Sequence, residues 1–170
     1  MFQKFYPDYY AESAYVIPYD ILYQKGVRGL LYDIDNTLVE HDEDATDRAV
    51  ELLGRLKSMG FSITLLSNNN EERVARFNRR AQVDYIYKAG KPSPKSYQKA
   101  MEQMGTDQGS TVFIGDQLFT DIWGAKRAGI PAWLVRPIAK HEEIQIVLKR
   151  KLEKIVLYFY FRKRKKEEKP

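Results

Sequence analysis

The chain has 170 residues and a mass of 19.9 kDa, a size that fits one domain with a sizeable core. It holds no cysteine, which excludes disulfides and thiolate metal ligands, and no apolar stretch approaches the roughly 20 residues that a membrane-spanning helix needs. Of the net charge of +5, +4 sits in the last nine residues, "RKRKKEEKP", leaving 22 basic against 21 acidic residues elsewhere, so the basicity is an address for anionic partners carried on a tail.

The N-terminal "MFQKFYPDYY" lacks the basic-then-apolar order of a signal peptide, and a cytoplasmic location is expected. Residues 1–28 are rich in aromatics, with eight of the chain's 22 in the first 23 positions; this segment is expected to pack on the core or on a membrane. From Gly29 to Val135 short apolar runs alternate with helical patterns, the signature of β-α units stacked around a parallel sheet. "GLLYDID" (29–35) is the first predicted strand, followed by a helix over about 46–59 that stops at Gly60. "FSITLLS" (61–67) is the second strand, and a polar helix runs from about Glu71 to Arg80. "VDYIYKA" (83–89) is a third, shorter strand, after which Ser93 is predicted to cap a helix that has Pro94 at its first position and ends at Gly105. "STVFIGD" (110–116) is the fourth strand, a helix runs from about Thr120 to Ala128, and "PAWLV" (131–135) is the fifth. An amphipathic helix from about Glu142 carries "IVLYFYF" (155–161) straight into the basic tail.

Each polar cluster falls where a strand ends and its helix begins: Asp33 to Thr37, Ser67 to Asn70, Lys91, and Asp116 to Asp121. In an open parallel sheet those ends share one edge, where ligands bind. Taken singly, each has a plain structural reading: a turn at Asp35 and Asn36, a loop or cap at Ser67 and Asn68, a solvated lysine at Lys91, a cap at Asp121. Taken together they describe a chemistry. Asp33 and Asp35 repel one another, and a divalent cation removes that cost while drawing phosphate oxygens into the same place. Asp116 and Asp121 can complete the acidic nest, Lys91 offers a positive charge, and Ser67 and Asn68 offer hydrogen-bond donors. Such a set suits phosphoryl transfer, where positioning and charge neutralisation dominate.

"DIDNTLV", "LLSNN", "KP" and "GDQLFTD", in that order, resemble the haloacid dehalogenase (HAD) superfamily of phosphohydrolases, and more closely its YqeG-type subfamily IIIA phosphatases. The resemblance implies a three-layer, Rossmann-like α/β core with a central, mainly parallel sheet of about five strands. It divides the chain into the aromatic segment 1–28, a phosphatase core 29–140 and a C-terminal helix with basic tail 141–170. It further implies that Asp33 is the nucleophile, forming an aspartyl phosphate, and that Asp35 is the general acid and base. Ser67, Asn68 and Lys91 would bind phosphate. Magnesium would be held by Asp33, Asp116 and the backbone carbonyl of Asp35, with Asp121 reaching it through water and Thr37 shaping the turn.

Large insertions in this superfamily form caps over small substrates. Here Asp35 to Ser67 spans 32 positions and Ser67 to Lys91 spans 24, too few for a cap domain. An open site suits a bulky phosphoester. The resemblance extends to phosphatidylglycerophosphate phosphatases, and the aromatic and basic termini suit a peripheral contact with the inner face of a membrane. The expected substrate is therefore an anionic lipid headgroup, with a soluble metabolite or phosphoprotein as the alternative. A nucleic-acid or ribosome-associated role is disfavoured, because the tyrosines that could stack on bases lie mostly at the opposite end from the basic cluster.

Overall fold

The structure, a computed structural model, describes residues 2–138 and 144–167. A short strand β1 (Tyr9–Ala11) leads through helix α1 (Tyr19–Gln24) into β2 (Gly29–Tyr32) and α2 (Asp47–Ser58). Then follow β3 (Ser62–Leu66), α3 (Glu71–Ala81), β4 (Asp84–Ile86), α4 (Lys95–Met104) and β5 (Thr111–Gly115). A single π-helical turn (Leu118–Ile122), α5 (Trp123–Arg127), β6 (Ala132–Val135) and α6 (Ile144–Glu167) complete the order. All neighbouring strands are parallel, in the order β1-β6-β5-β2-β3-β4.

The α/β reading holds, with one strand more than expected. The extra one, β1, adds "YYA" to the sheet edge beside β6, with Tyr9 opposite Trp133. Part of the aromatic N-terminal segment is therefore sheet. The expected start of the last helix, Glu142, and the division at 140/141 lie outside the described residues.

The central strands β2, β3, β5 and β6 are mostly apolar because both faces are covered. Leu30, Tyr32, Ile63, Leu65, Val112 and Ile114 point to one side, where α1, α2 and α3 pack; Leu31, Leu66, Phe113 and Leu134 point to the other, against α4, α5 and α6. Thr46 caps α2 by accepting the amide of Ala49 at 3.2 Å, and Asn70 caps α3 by accepting that of Arg73 at 2.9 Å. Ser93 does not cap α4. Pro94 already has a helical ψ of −12°, and its carbonyl accepts the first helical bond from Gln98 at 3.1 Å, so the boundary falls one residue later.

The expected first strand (29–35) ends at Tyr32, since the carbonyl of Ile34 accepts the amides of Thr37 and Leu38 and Asn36 turns the chain at φ 61°. Asp33 thus stands just beyond the strand, at the sheet edge. Between Asp35 and Ser67 the chain forms α2 and β3, and between Ser67 and Lys91 it forms α3 and β4. Among the described residues neither stretch carries a cap.

Both ends of the chain close on the α5/α6 side. Phe2 stacks on Phe159 with ring centroids 5.9 Å apart, Tyr6 meets Tyr160 edge-on at 5.4 Å, and Tyr10 meets Phe161 at 5.5 Å. Glu153, Val156 and Tyr160 of α6 are buried, while Leu152, Ile155, Tyr158 and Phe159 are 54%, 50%, 60% and 42% exposed. No described helix is long and apolar enough to cross a membrane.

Candidate active site

The sheet edge gathers Asp33 after β2, Ser67 after β3, Lys91 after β4, and Asp116 and Asp121 after β5, all buried. Lys91 is the hub. Its Nζ donates to Asp33 Oδ1 at 2.6 Å and to Asp121 Oδ1 at 2.7 Å. Carboxylate oxygens of Asp33, Asp116 and Asp121 lie within 4.8 Å of one another. These are hard oxygen donors in a buried cluster, and the set fits a divalent metal ion.

Burial and charge oppose one another across the cluster. Burial pushes the Asp33 carboxyl up, Lys91 pulls it back, and Asp121 and Asp35 add to the rise; the balance is about 7. Burial likewise pushes Asp116 well above the ordinary carboxylate range despite the opposing guanidinium of Arg150. Burial works against the Lys91 ammonium, but Asp121 and Asp33 outweigh it and keep it charged beyond its ordinary range.

A pH dependence follows. In the metal-free protein Asp33 titrates near 3.8 unfolded and near 7 folded. Between those values the folded state keeps a proton that the unfolded state has released, so stability falls as pH rises through that window. Thermal melts of chelator-treated protein should show Tm dropping from about pH 4 to about pH 7. The drop should be shallower in Asp33→Asn, and a slope equal in both proteins would refute the assignment.

Each remaining predicted residue has a defined place. Thr37 is buried, its hydroxyl 3.4 Å from Asp116 Oδ1. Ser67 Oγ accepts the Asn69 amide at 3.1 Å. Asn68 faces the lysine segment: its Nδ2 donates to the Lys91 carbonyl at 3.1 Å and its Oδ1 accepts the Lys91 amide at 2.8 Å, which fixes the backbone of the hub. Asp121 sits inside the cluster, its Oδ2 accepting the amides of Asp116 at 3.2 Å and Gln117 at 3.1 Å. The π turn, in which Asp121 and Ile122 both donate to the Gln117 carbonyl, brings it back under those amides. Only glycine fits beneath it, since a Cβ on Gly115 would stand 2.5 Å from Asp121 Oδ2.

Asp35 is turned away from the lysine. It accepts from Arg73 Nη2 at 2.9 Å, Asn69 Nδ2 at 2.7 Å and the Asp42 amide at 2.8 Å. Sequence reasoning missed Arg73 and Asn69, and also Arg150 and Glu153 of α6. Arg73 belongs to the stripe Arg73, Phe77, Ala81 that buries against the core, and a charge on such a stripe is the signal that was there to read.

Over residues 23–129 the chain matches the haloacid dehalogenase-like hydrolase family. It is 37% identical over 159 residues to a probable phosphatase, YqeG, of Bacillus subtilis (strain 168), with 92% of each chain covered. A glyceraldehyde 3-phosphate phosphatase of Pyrococcus abyssi is 26% identical over 91 residues, 48% of this chain and 38% of that protein. Among solved structures, the cobalt-bound deoxy-D-mannose-octulosonate 8-phosphate phosphatase of Haemophilus influenzae has a TM-score of 0.53 at 13% identity, covering 80% of this chain and 90% of that one, a likeness of fold. With the lysine-bridged carboxylates at the ends of a parallel sheet, these matches place the protein: it belongs to the haloacid dehalogenase-like hydrolases, as a phosphatase of the YqeG type.

Proposed function

We propose that the protein is a Mg2+-dependent phosphomonoester hydrolase that works through an aspartyl phosphate on Asp33, and that it removes the terminal phosphate of phosphatidylglycerophosphate at an anionic membrane surface. The observation that carries the chemistry is the Lys91 ammonium between Asp33 and Asp121, with Asp116 beside them. An Asp33 oxygen attacks phosphorus, the ester P–O bond breaks, and the departing alkoxide takes a proton from Asp35. In the second half Asp35 takes a proton from water as that water attacks phosphorus, releasing inorganic phosphate and restoring Asp33. To do this, one Asp35 oxygen leaves its donors, Oδ1 those of Arg73 and the Asp42 amide or Oδ2 that of Asn69.

Ser67 and Lys91 hold the phosphoryl oxygens, Asn68 keeps Lys91 in place, and Thr37 steadies Asp116. Magnesium bound by Asp33, Asp116 and the Asp35 carbonyl would neutralise charge on the transferring group, with Asp121 as the accessory acid.

Two features support a lipid. Neither insertion point carries a cap, so a phosphate presented from a surface can reach the site. And α6 exposes Leu152, Ile155, Tyr158 and Phe159 among Lys151, Lys154, Arg162, Lys163, Lys165 and Lys166, an apolar and cationic face suited to anionic headgroups. The partial likeness to a glyceraldehyde 3-phosphate phosphatase favours a soluble metabolite instead. The two are separated by kcat/KM for Mg2+-dependent phosphate release, measured on liposomes bearing phosphatidylglycerophosphate and on a panel of soluble phosphoesters. The lipid is expected to lead. No release from the liposomes, with brisk turnover of a soluble ester, ends the lipid reading.

A further inference from the structure

Helix α6 lies beyond the segment that matches the hydrolase family, residues 23–129, yet it reaches into the acidic cluster. Arg150 Nη1 donates to the backbone carbonyl of Asp116 at 2.6 Å and to Glu153 Oε2 at 2.9 Å. Its Nη2 donates to Asp116 Oδ2 in a close charge-assisted contact. The other oxygen of Glu153 accepts the amide of Leu118 at 2.8 Å. The short loop bearing Asp116 is therefore held from two sides. Asp121 takes the amides of residues 116 and 117, and α6 takes the carbonyl and carboxylate of residue 116 and the amide of residue 118.

A guanidinium on a candidate metal ligand can act in two ways. It can stand in for the metal and oppose its binding, or it can fix the ligand and promote binding. The charge balance decides between them. Among the described residues Arg150 comes paired with Glu153, so together they add no net charge to the site. The set Asp33, Asp116, Asp121, Glu153, Lys91 and Arg150 then carries a net −2 when ionised, which is the charge one divalent ion cancels. Arg150 occupies Oδ2 of Asp116, while Oδ1 has, among the described residues, the long contact from the Thr37 hydroxyl at 3.4 Å. One carboxylate oxygen is thus clamped and the other left to a cation. The clamp is buried: Glu153 lies on the inner face of α6, beside Val156 and Tyr160.

We infer that Arg150, supported by Glu153, is a positioning residue that fixes Asp116 for divalent-metal capture, which makes α6 part of the metal site. The inference rests on the metal-dependent reading above. Residues that orient a ligand from behind are worth about 10- to 100-fold in metal affinity.

The test uses the full chain and Mg2+ alone, titrated by calorimetry into wild type and into Arg150→Met/Glu153→Gln. The double variant keeps the net −2 and leaves an acceptor for the Leu118 amide, so a change in affinity reports geometry rather than charge. Its Mg2+ affinity is expected to fall about 10- to 100-fold. The Mg2+ concentration for half-maximal phosphate release should rise by the same factor, with kcat at saturating Mg2+ within a few fold of wild type. Equal or tighter Mg2+ binding overturns the inference, as does a kcat that falls with no change in Mg2+ affinity. If the double variant does not fold, Arg150→Met alone is read in the same way, and more stringently, because its extra negative charge favours the metal. A wild type that binds no Mg2+ removes the metal-dependent reading and this inference with it, whereas a wild type that binds and a variant that matches it removes this inference alone.

Discussion

Asp33→Asn is expected to lower phosphate release by roughly 10⁴- to 10⁶-fold, the scale on which loss of a covalent nucleophile acts, while leaving a folded protein. As the proposed nucleophile this carboxylate forms the acyl phosphate, and the amide that replaces it is neither charged nor nucleophilic at the same atom. Of its neighbours, Asp121 is tied by both oxygens, to Lys91 and to the amides of Asp116 and Gln117. Stability should move the other way. Because burial holds the Asp33 carboxyl up to about 7, the ionised form is the strained one above that pH. A neutral residue of the same shape relieves the strain, so the variant should melt no lower than metal-free wild type at pH 8. Activity within tenfold of wild type would remove Asp33 as nucleophile. A loss of both activity and fold would say that Asp33 is structural.

Lys91→Met should produce the largest loss of stability. The ammonium is buried with two carboxylates at 2.6 and 2.7 Å, and removing one partner of a buried ion pair costs about 3–5 kcal/mol because the charge left behind has no solvent. For a chain of this size that corresponds to a Tm drop of roughly 6–20 °C. The deficit should be greater at pH 8 than at pH 5. Lys91 is the charge that pulls Asp33 down; without it Asp33 keeps its proton to higher pH, and acid conditions remove the repulsion that the variant cannot offset. Differential scanning calorimetry at the two pH values checks this. A drop of under about 2 °C at pH 8 would show that the pair contributes little, as exposed pairs do.

How much of this was legible in the sequence depends on what kind of residue carried each feature. The runs at 29–35, 61–67 and 110–116 could be read as strands because layers on both faces leave them mostly apolar and buried. The strand β1 could not: "YYA" at an edge is half-exposed and three residues long, with no alternation to see. The common placement of Asp33, Ser67, Lys91 and Asp116 at the strand ends was legible because it follows from topology alone. The side chain of Asp35 was harder to place, since its three donors come from α3, from the turn before it and from a loop. Arg150 lies in a helix whose charges look solvated until its buried face is traced through Glu153, Val156 and Tyr160.

The pairing of β1 with β6 has a consequence for assembly during synthesis. Tyr9 and Trp133 are neighbours in space but 124 positions apart in the chain, so the earliest strand to leave the ribosome waits for nearly the latest. Closing so long a loop is entropically expensive and slow. The strands whose ends hold the candidate site, β2, β3 and β5, bond to one another without it. The tyrosines of β1 therefore stay uncovered until β6 has been made, and this is the stretch that a holdase would need to shield.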